Sequence, residues 1–298
     1  MQDFDAIVIG QGYAGLMASK LAAERGLRVA NIEQMFAGGL VMTVTELDPA
    51  PPGDEHSGPE LTANLAMSNM DRGIESVNDT VESVSRRFDQ SWIVKTGSGE
   101  YTASNVIVAT GATLRKLGVK GEEEFVGRGV STCADCDGPL YQDREVVVVG
   151  GGDSAYQEAL ALTMYASKVT IVIRGAAARA RAEFVERAAS EPKIVTLTHT
   201  AVTEIVGDAE GVTAIRVSTE GSEATLDTAG VFVFVGLESS NAFLPDDIAR
   251  DAEGAIVVDA RGQTTLPGVW AIGAVRSGFG GLLTHAQADA ERAVLGLS

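Results

Sequence analysis

The only two cysteines of the chain, Cys133 and Cys136, are separated by two residues and can do redox chemistry together. A Cys-x-x-Cys pair can close a disulfide, and the same spacing lowers the pKa of one thiol toward neutrality. Asp137 follows directly and is a candidate acid–base group for the thiol proton. The alternative for Asp137 is a helix N-cap or a turn residue beside Gly138. The sequence therefore indicates electron transfer to or from a disulfide.

Two other interpretations of the cysteines carry less weight. A structural zinc site needs four ligands, and the three histidines (His56, His199 and His285) lie far apart with no ligand spacing. Two inert buried cysteines are the second alternative. We expect no metal.

The elements that would position this chemistry are two glycine-rich turns. Strand Ala6–Ile9 leads into Gly10-x-Gly12-x-x-Gly15 and then a helix to about Arg25, and the next strand ends at Glu33. In such a unit the first glycine permits a tight turn, the second lets a pyrophosphate approach, and the third lets the helix press on the strand. Glu33 can accept hydrogen bonds from ribose hydroxyls.

The pattern occurs a second time at Gly150-x-Gly152-x-x-Ala155, after the buried strand Val146–Val149. This internal repeat predicts two nucleotide-binding domains. Strand Val169–Ile173 is followed by Arg174, Arg179 and Arg181. Guanidinium groups there suit an adenosine 2′-phosphate, and a solvated arginine face is the alternative.

Composition excludes some function classes. The 298 residues suffice for two domains, and the net charge of −18 repels phosphate backbones, so we expect no nucleic-acid partner. No apolar run approaches the ~20 residues of a membrane span, and the N-terminus has no signal-peptide pattern. A cytoplasmic protein with no membrane contact is the prediction. Residues 60–75 are predicted to be helical.

Together these stretches resemble the low-molecular-weight thioredoxin reductases, which are FAD/NAD(P)-dependent pyridine nucleotide-disulfide oxidoreductases, over nearly the whole chain. The resemblance is carried by Gly10-x-Gly12-x-x-Gly15, Gly38-Gly39, 108–112, 127–138, 150–155 and 267–273. It implies an α/β fold with two Rossmann-like three-layer ββα nucleotide-binding domains, the second inserted in the first. The FAD domain would comprise 1–113 and 241–298, and the NAD(P)H domain, carrying the cysteines, 114–240. A homodimer and a rotating NAD(P)H domain are also implied.

The resemblance further implies that electrons pass from NADPH, or NADH, through FAD to the cysteines. Cys136 would face the flavin and bond to it transiently, Cys133 would attack the substrate disulfide, and Asp137 would shuttle the proton. The substrate would be thioredoxin, another thioredoxin-fold protein or a small-molecule disulfide. The implied FAD-binding positions are Gly10, Gly12, Tyr13, Ala14, Gly15, Glu33, Gly38, Gly39, Thr45, Val84, Ala109, Thr110, Gly111, Gly273 and Ala274. The implied NAD(P)H-binding positions are Gly150, Gly152, Asp153, Ser154, Arg174 and Arg179.

Several positions depart from the family pattern. Four of the positions that bind FAD in the family differ here. Ala274 stands where the family has an aspartate, Leu40 where it has a glutamine, Gly281-Leu282-Leu283 where it has Arg-Gln-Ala, and Pro49 where it has an asparagine. His285 is a candidate neighbour of the flavin ring. For NADPH, Ile173-Arg174-Gly175 lacks one arginine of the usual run. For the partner, Pro139-Leu140 replaces two aromatics, while Arg128 is kept.

Two further functions therefore stay open. One is an FAD-dependent dithiol oxidase that forms a disulfide with oxygen as acceptor, which would not need the second glycine turn. The other is a flavin-poor, non-catalytic nucleotide-binding or redox-sensing protein.

Overall fold

The computed structural model describes residues 2–44, 46–47 and 50–297. The chain forms two compact units, the first of Met1–Thr113 with Glu238–Ser298 and the second of Leu114–Leu237. The strands are β1 (Gln2–Ile9), β2 (Val29–Glu33), β3 (Glu75–Asn78), β4 (Val81–Arg86), β5 (Trp92–Thr96), β6 (Glu100–Val108), β7 (Ala112–Leu114), β8 (Val130–Ser131), β9 (Glu145–Val149), β10 (Lys168–Val172), β11 (Ile194–Leu197), β12 (Thr200–Gly207), β13 (Val212–Thr219), β14 (Ser222–Asp227), β15 (Gly230–Val233), β16 (Leu237–Ser239) and β17 (Val269–Ala271). The helices are α1 (Tyr13–Glu24), α2 (Gly58–Asp71), α3 (Ala134–Asp137), α4 (Asp153–Leu162), α5 (Ala182–Ala189) and α6 (Leu283–Leu295), with 3₁₀ turns at Gly39–Thr43, Gly138–Tyr141 and Gly273–Val275.

The first unit is built on a seven-stranded sheet of order β3-β2-β1-β6-β5-β4, with β17 also paired to β6. Strands β3, β2, β1, β6 and β17 are parallel, whereas β4 and β5 extend the sheet in antiparallel pairing. Side chains alternate between the two faces of a strand. Ala6 and Val8 therefore pack under α1, α2 and α6, while Ile7 and Ile9 pack in the core on the opposite face.

The second unit repeats this plan with a parallel five-stranded sheet of order β11-β10-β9-β15-β8. The four consecutive valines 146–149 are buried on both faces, two facing the α4 and α5 core and two facing an antiparallel meander of β12, β13 and β14. Continuous apolar strands of this kind are typical of parallel sheets covered on both sides. Strands β7 and β16, which connect the two units, pair with each other.

The helix predicted over 60–75 is displaced in the structure. It begins at Gly58, where the Ser57 hydroxyl accepts a hydrogen bond from the Glu60 amide at 3.4 Å, and Pro59 occupies its first turn. It ends at Asp71, two residues before Gly73, whose φ of +73° is incompatible with a continuing helix. Residues from Glu75 onward join the sheet instead.

Candidate redox and nucleotide-binding sites

The first glycine turn joins β1 to α1, and two of its glycines are required by close backbone contacts. Gly10 has a φ of +104°, and a Cβ at this position would lie 2.5 Å from the carbonyl oxygen of Ala109. A Cβ on Gly15 would collide with the carbonyl oxygen of Gly10. Both positions therefore need glycine for the fold itself, whether or not a ligand is bound.

Gly12 is different, because no atom of the described residues lies within 4 Å of where its Cβ would be. Its φ of −69° is also one that any residue adopts. Gly12 precedes α1, and no described side chain caps that helix. The backbone amides of Tyr13 and Ala14 are thus positioned to bind an anion at the helix N-terminus. The open side at Gly12 fits a pyrophosphate.

Glu33 ends β2 beside this turn. Its carboxylate accepts hydrogen bonds from the amide of Gln11 at 3.0 Å and from the amide of Met35 at 3.2 Å, which fix its position. A cleft of about 650 Å³ opens along the carboxyl ends of the parallel strands, where ligands of such sheets bind. Its walls include Gly10, Glu33, Val81, Glu82, Thr110, Ser240 and Asn241.

Two further glycine segments converge on the turn. The amide of Gly38 donates to the carbonyl of Gln11 at 2.7 Å, and a Cβ on Gly39 would lie 3.3 Å from the Cα of Gly12. From the C-terminal part of the chain, Gly273 approaches Ala14 so closely that a Cβ on it would lie 3.0 Å from the Ala14 Cβ.

Other predicted FAD positions lie in different surroundings. Thr110 donates to the carbonyl of Ser240 at 2.6 Å, and Gly111, with a φ of +65°, follows it. Val84 is buried in the core, and its amide donates to Phe243, so Val81 and Glu82 rather than Val84 line the cleft. Thr45 and Pro49 lie outside the described residues.

These contacts fit the ADP half of FAD. The open turn, the uncapped helix and Glu33 offer a pyrophosphate site beside a ribose acceptor. At the positions where the family pattern has polar side chains, Leu40 and Gly281 are exposed and Ala274 is half-buried, and none of the three offers a polar side-chain atom.

The carboxylate of Asp289 on α6, which the sequence did not single out, lies beside Gly273. Its oxygen Oδ2 accepts the Gly273 amide at 3.0 Å and the Nε of Arg276 at 2.6 Å. The Oδ1 atom accepts from Arg276 at 2.9 Å and from Arg292 at 2.5 Å. Asp289 is 3% exposed, so this network fixes the backbone at 273–276 from inside the unit. The only sequence signal was an acid among the alanines of the buried face of α6.

Nearby, the phenol of Tyr13 donates to Gln287 at 3.2 Å. Burial raises the pKa of Tyr13 to about 12, and the negative charges of Glu291 and Glu55 add to the effect. The phenol is therefore a hydrogen-bond donor throughout the physiological range.

The second glycine turn joins β9 to α4 and has the same construction. Gly150 has a φ of +146°, and a Cβ on it would collide with the carbonyl of Phe234, whereas Gly152 has no described atom within 4 Å. No described side chain caps α4, whose first turn begins with Asp153 and Ser154. The start of α4 is therefore open in the same way as the start of α1, a geometry that a pyrophosphate would fit.

The loop after β10 is tied to this turn. The amide of Arg179 donates to Gly151 at 2.6 Å, while the Arg181 guanidinium pairs with Asp153 at 2.8 Å and with Glu183 at 3.1 Å. Arg174 and Arg179 are exposed and form no ion pair within the described part of the chain. These two arginines are therefore available for a 2′-phosphate. The backbone amide of His199 donates to the carbonyl of Gly175 at 2.9 Å, which fixes the start of this loop.

A groove of about 700 Å³ in the second unit lies away from the second glycine turn. It is bordered by Glu145 and Lys168, the first residues of β9 and β10, and by Asp227. It thus lies at the amino ends of the parallel strands, opposite the glycine turn, whereas nucleotides bind at the carboxyl ends.

Cys133 and Cys136 form a disulfide at the start of α3, with their Cα atoms 5.3 Å apart. Ser131, at the end of β8, accepts the Cys133 amide at 3.1 Å and donates to its carbonyl at 3.3 Å. The Cys136 amide points at the Cys133 sulfur, 3.2 Å away, as a donor that would stabilise a thiolate there.

Asp137 ends α3 and is half-buried. Its side chain makes no capping hydrogen bond to the described residues of the 3₁₀ turn that follows, so the capping role is not observed. The neighbouring Tyr141 has its pKa raised, first by burial and then by the charge of Asp137. The carboxylate therefore lies at the end of the cysteine segment, close enough to Tyr141 for its charge to act on that phenol.

Across residues 2–44, 46–47 and 50–297, no three His, Cys, Asp or Glu side chains cluster as a metal site would require. Over the same ranges, no helix is both long and apolar enough to cross a membrane.

Two Rossmann-like units with open glycine turns, one carrying a redox disulfide, define a nucleotide-dependent disulfide oxidoreductase. The chain belongs to the pyridine nucleotide-disulphide oxidoreductase family, whose sequence profile matches residues 4–290. A thioredoxin reductase of Listeria innocua is 41% identical over 279 residues, covering 92% of this chain and 86% of the relative. Thioredoxin reductase structures from Lactococcus lactis (33% identity, TM-score 0.89, 98% and 97% of the two chains) and T. acidophilum (34%, 0.87, 100% and 98%) are also similar.

These findings confirm the predicted family resemblance and the α/β fold class with two Rossmann-like domains. They also confirm the enzyme class. The chain is a flavoprotein disulfide reductase, and FAD and NADPH are the cofactors of its family.

Proposed function

We propose that this enzyme reduces a thioredoxin with electrons from NADPH, through the Cys133–Cys136 pair. The observation that carries the proposal is the disulfide itself, which lies in the same unit as the open Gly150–Gly152 turn. The relatives named as thioredoxin reductases support thioredoxin as the substrate.

In this proposal the first unit is the FAD domain and the second the NADPH domain. The amides at Gly12–Ala14 would hold the FAD pyrophosphate, and Glu33 would accept the ribose hydroxyls. Bound FAD supplies the exchange of two electrons between a nicotinamide hydride and a disulfide. In the second unit, Gly152 would accommodate the NADPH pyrophosphate, and Arg174 with Arg179 would bind its 2′-phosphate.

The cysteine segment then performs thiol–disulfide exchange. Reduction of the disulfide takes up two electrons and two protons and gives two thiols. The Cys133 thiolate, stabilised by the Cys136 amide, attacks the substrate disulfide and forms a mixed disulfide. Cys136 attacks the Cys133 sulfur in turn, which restores the internal disulfide and releases the substrate as a dithiol. Asp137 accepts and returns the thiol proton.

The same unit offers contacts for a partner. Arg128 is exposed and stacks on Phe125, with its guanidinium carbon 5.5 Å from the ring centre, and Leu140 is 71% exposed. We include both in the thioredoxin-binding surface. A homodimer and a cytoplasmic location, expected from the sequence, complete the proposal.

The proposal is tested with Cys136→Ser. We expect the variant to lose NADPH-dependent reduction of thioredoxin, while NADPH still bleaches the flavin absorbance. Thr132→Ala, an exposed change in the same segment, is the matched control and should keep the native rate. Unchanged turnover by Cys136→Ser would refute the electron route. Oxygen uptake with a small dithiol and no nicotinamide would instead identify a dithiol oxidase.

A further inference from the structure

Glu158, on α4, reaches back to the segment between the two cysteines. Its oxygen Oε2 accepts a hydrogen bond from the amide of Ala134 at 2.6 Å, across 24 positions of sequence. Ala134 is the first residue of α3 and is completely buried, and Glu158 is half-buried against it. The contact therefore joins the redox segment to the helix that begins at the second glycine turn.

The backbone amides near the Cys133 sulfur differ in which acceptor each one donates to. The Ser131 hydroxyl accepts a hydrogen bond from the amide of Cys133, and the Glu158 carboxylate accepts one from the amide of Ala134. Among the residues that the structure describes, the amide of Cys136 alone donates to the sulfur. The nitrogen of Ala134 is bonded to the carbonyl carbon of Cys133, so the carboxylate lies one peptide group away from Cys133.

The surroundings of Glu158 make its charge effective. Burial raises its pKa, the hydrogen bond from Ala134 lowers it, and the charge of Asp135 raises it further. A carboxylate away from bulk water is screened less than an exposed one. Asp135 and Asp137, on α3 itself, are also negative. The cysteine segment 131–140 contains no lysine or arginine that could compensate these charges.

We propose that Glu158 is a positioning residue of the redox centre, whose negative charge disfavours a thiolate at Cys133 and so keeps the dithiol strongly reducing. This inference rests on the proposed function, in which the pair cycles between disulfide and dithiol. A nearby like charge disfavours the charged form of a thiol. A less stable thiolate makes the reduced pair a better electron donor at any pH where that thiolate is populated.

Glu158→Gln tests the charge alone, because the amide oxygen of glutamine can still accept from Ala134. We expect the pKa of the Cys133 thiol to fall by about one unit. The equilibrium with glutathione should shift toward the dithiol with rising pH, and the shift should approach tenfold, or about 30 mV, at pH values above the pKa of the Cys133 thiol. The shift should become smaller as the pH falls, because protonation removes the thiolate on which the charge of Glu158 acts.

The measurement is a redox titration of the chain in glutathione buffers, with alkylation of the free thiols as readout. Glu186→Gln, an exposed change on α5 in the same unit, has the same change in net charge and should match the native protein. Urea unfolding confirms that each variant is folded.

The proposal is overturned if Glu158→Gln titrates like Glu186→Gln at pH 8 and 9, if it becomes more reducing, or if it shifts equally at pH 6. The titration needs neither NADPH nor thioredoxin. A native disulfide that NADPH fails to reduce would therefore refute the proposed function and leave the result on Glu158 standing.

Discussion

Gly12→Ala is expected to weaken FAD binding while leaving the fold intact. The backbone at Gly12 (φ −69°, ψ 176°) suits alanine, and no described atom lies within 4 Å of the added methyl group. Alanine reduces the entropy of the unfolded chain, which stabilises by about 0.4–1 kcal/mol, but it is a poorer N-cap than glycine. The two effects oppose each other, so the free energy of unfolding should change by less than about 1 kcal/mol.

The loss of affinity follows from the place of the methyl group. It points into the space where the pyrophosphate must approach the amides of α1. A hydrogen bond to a charged group contributes about 1.5–3 kcal/mol, so losing one weakens binding about 10- to 150-fold.

Gly152→Ala is the matched variant in the second unit, because Gly152 (φ −95°, ψ 178°) is equally open. It should raise the KM for NADPH and leave FAD binding unchanged, the reverse of Gly12→Ala. Gly15→Ala is the contrasting case, since its methyl group would collide with the Gly10 carbonyl. Overpacking of this kind costs about 1–3 kcal/mol of stability.

The assays are urea unfolding of each apoprotein, FAD titration followed by quenching of flavin fluorescence, and steady-state KM for NADPH. The reasoning would be refuted by Gly12→Ala binding FAD with native affinity. It would also fail if Gly12→Ala destabilised the apoprotein as much as Gly15→Ala, because Gly12 would then be a structural glycine.

Two other changes test the site. Asp289→Asn leaves the partly buried Arg276 without its charge partner and should cost about 3 kcal/mol in urea unfolding. Glu291→Gln, an exposed change on the same helix, is the control, and equal stability of the two variants would contradict the role of the pair. Arg174→Ala should raise the KM for NADPH at least about tenfold and leave the KM for NADH unchanged, because only NADPH has the 2′-phosphate. An equal rise in both KM values would show that Arg174 does not bind the 2′-phosphate.

The glycine turns were predictable because each is local. A strand, a turn and a helix within about fifteen residues carry their own signature. The structure has the tight turn at Gly10, the close contact at Gly15 and the open side at Gly12 that this signature predicts. Glu33 could be predicted for the same reason. The surroundings of Val84 were not predictable, because β4 has an irregular register between Val81 and Ser83, and a bulge changes which side chains face the core.

The residues that sequence reasoning missed act through distant partners. Asp289 matters because the chain brings it to Arg276 and to Gly273, and neither contact has a local signature. Glu158 appears in the sequence as one acid on an amphipathic helix. Its contact with the redox segment exists only because α4 packs against that segment in the folded chain.

The sequence by itself determined the class of fold, the two nucleotide turns and the identity of the redox pair, since these depend on residue type and short spacing. Only the tertiary structure decided which carboxylates surround those elements, which arginines remain free and which glycines are open to a ligand. The physical reason is that charge and hydrogen bonding act over a few ångströms of space, and the distance between two residues along the chain does not specify their distance in the fold.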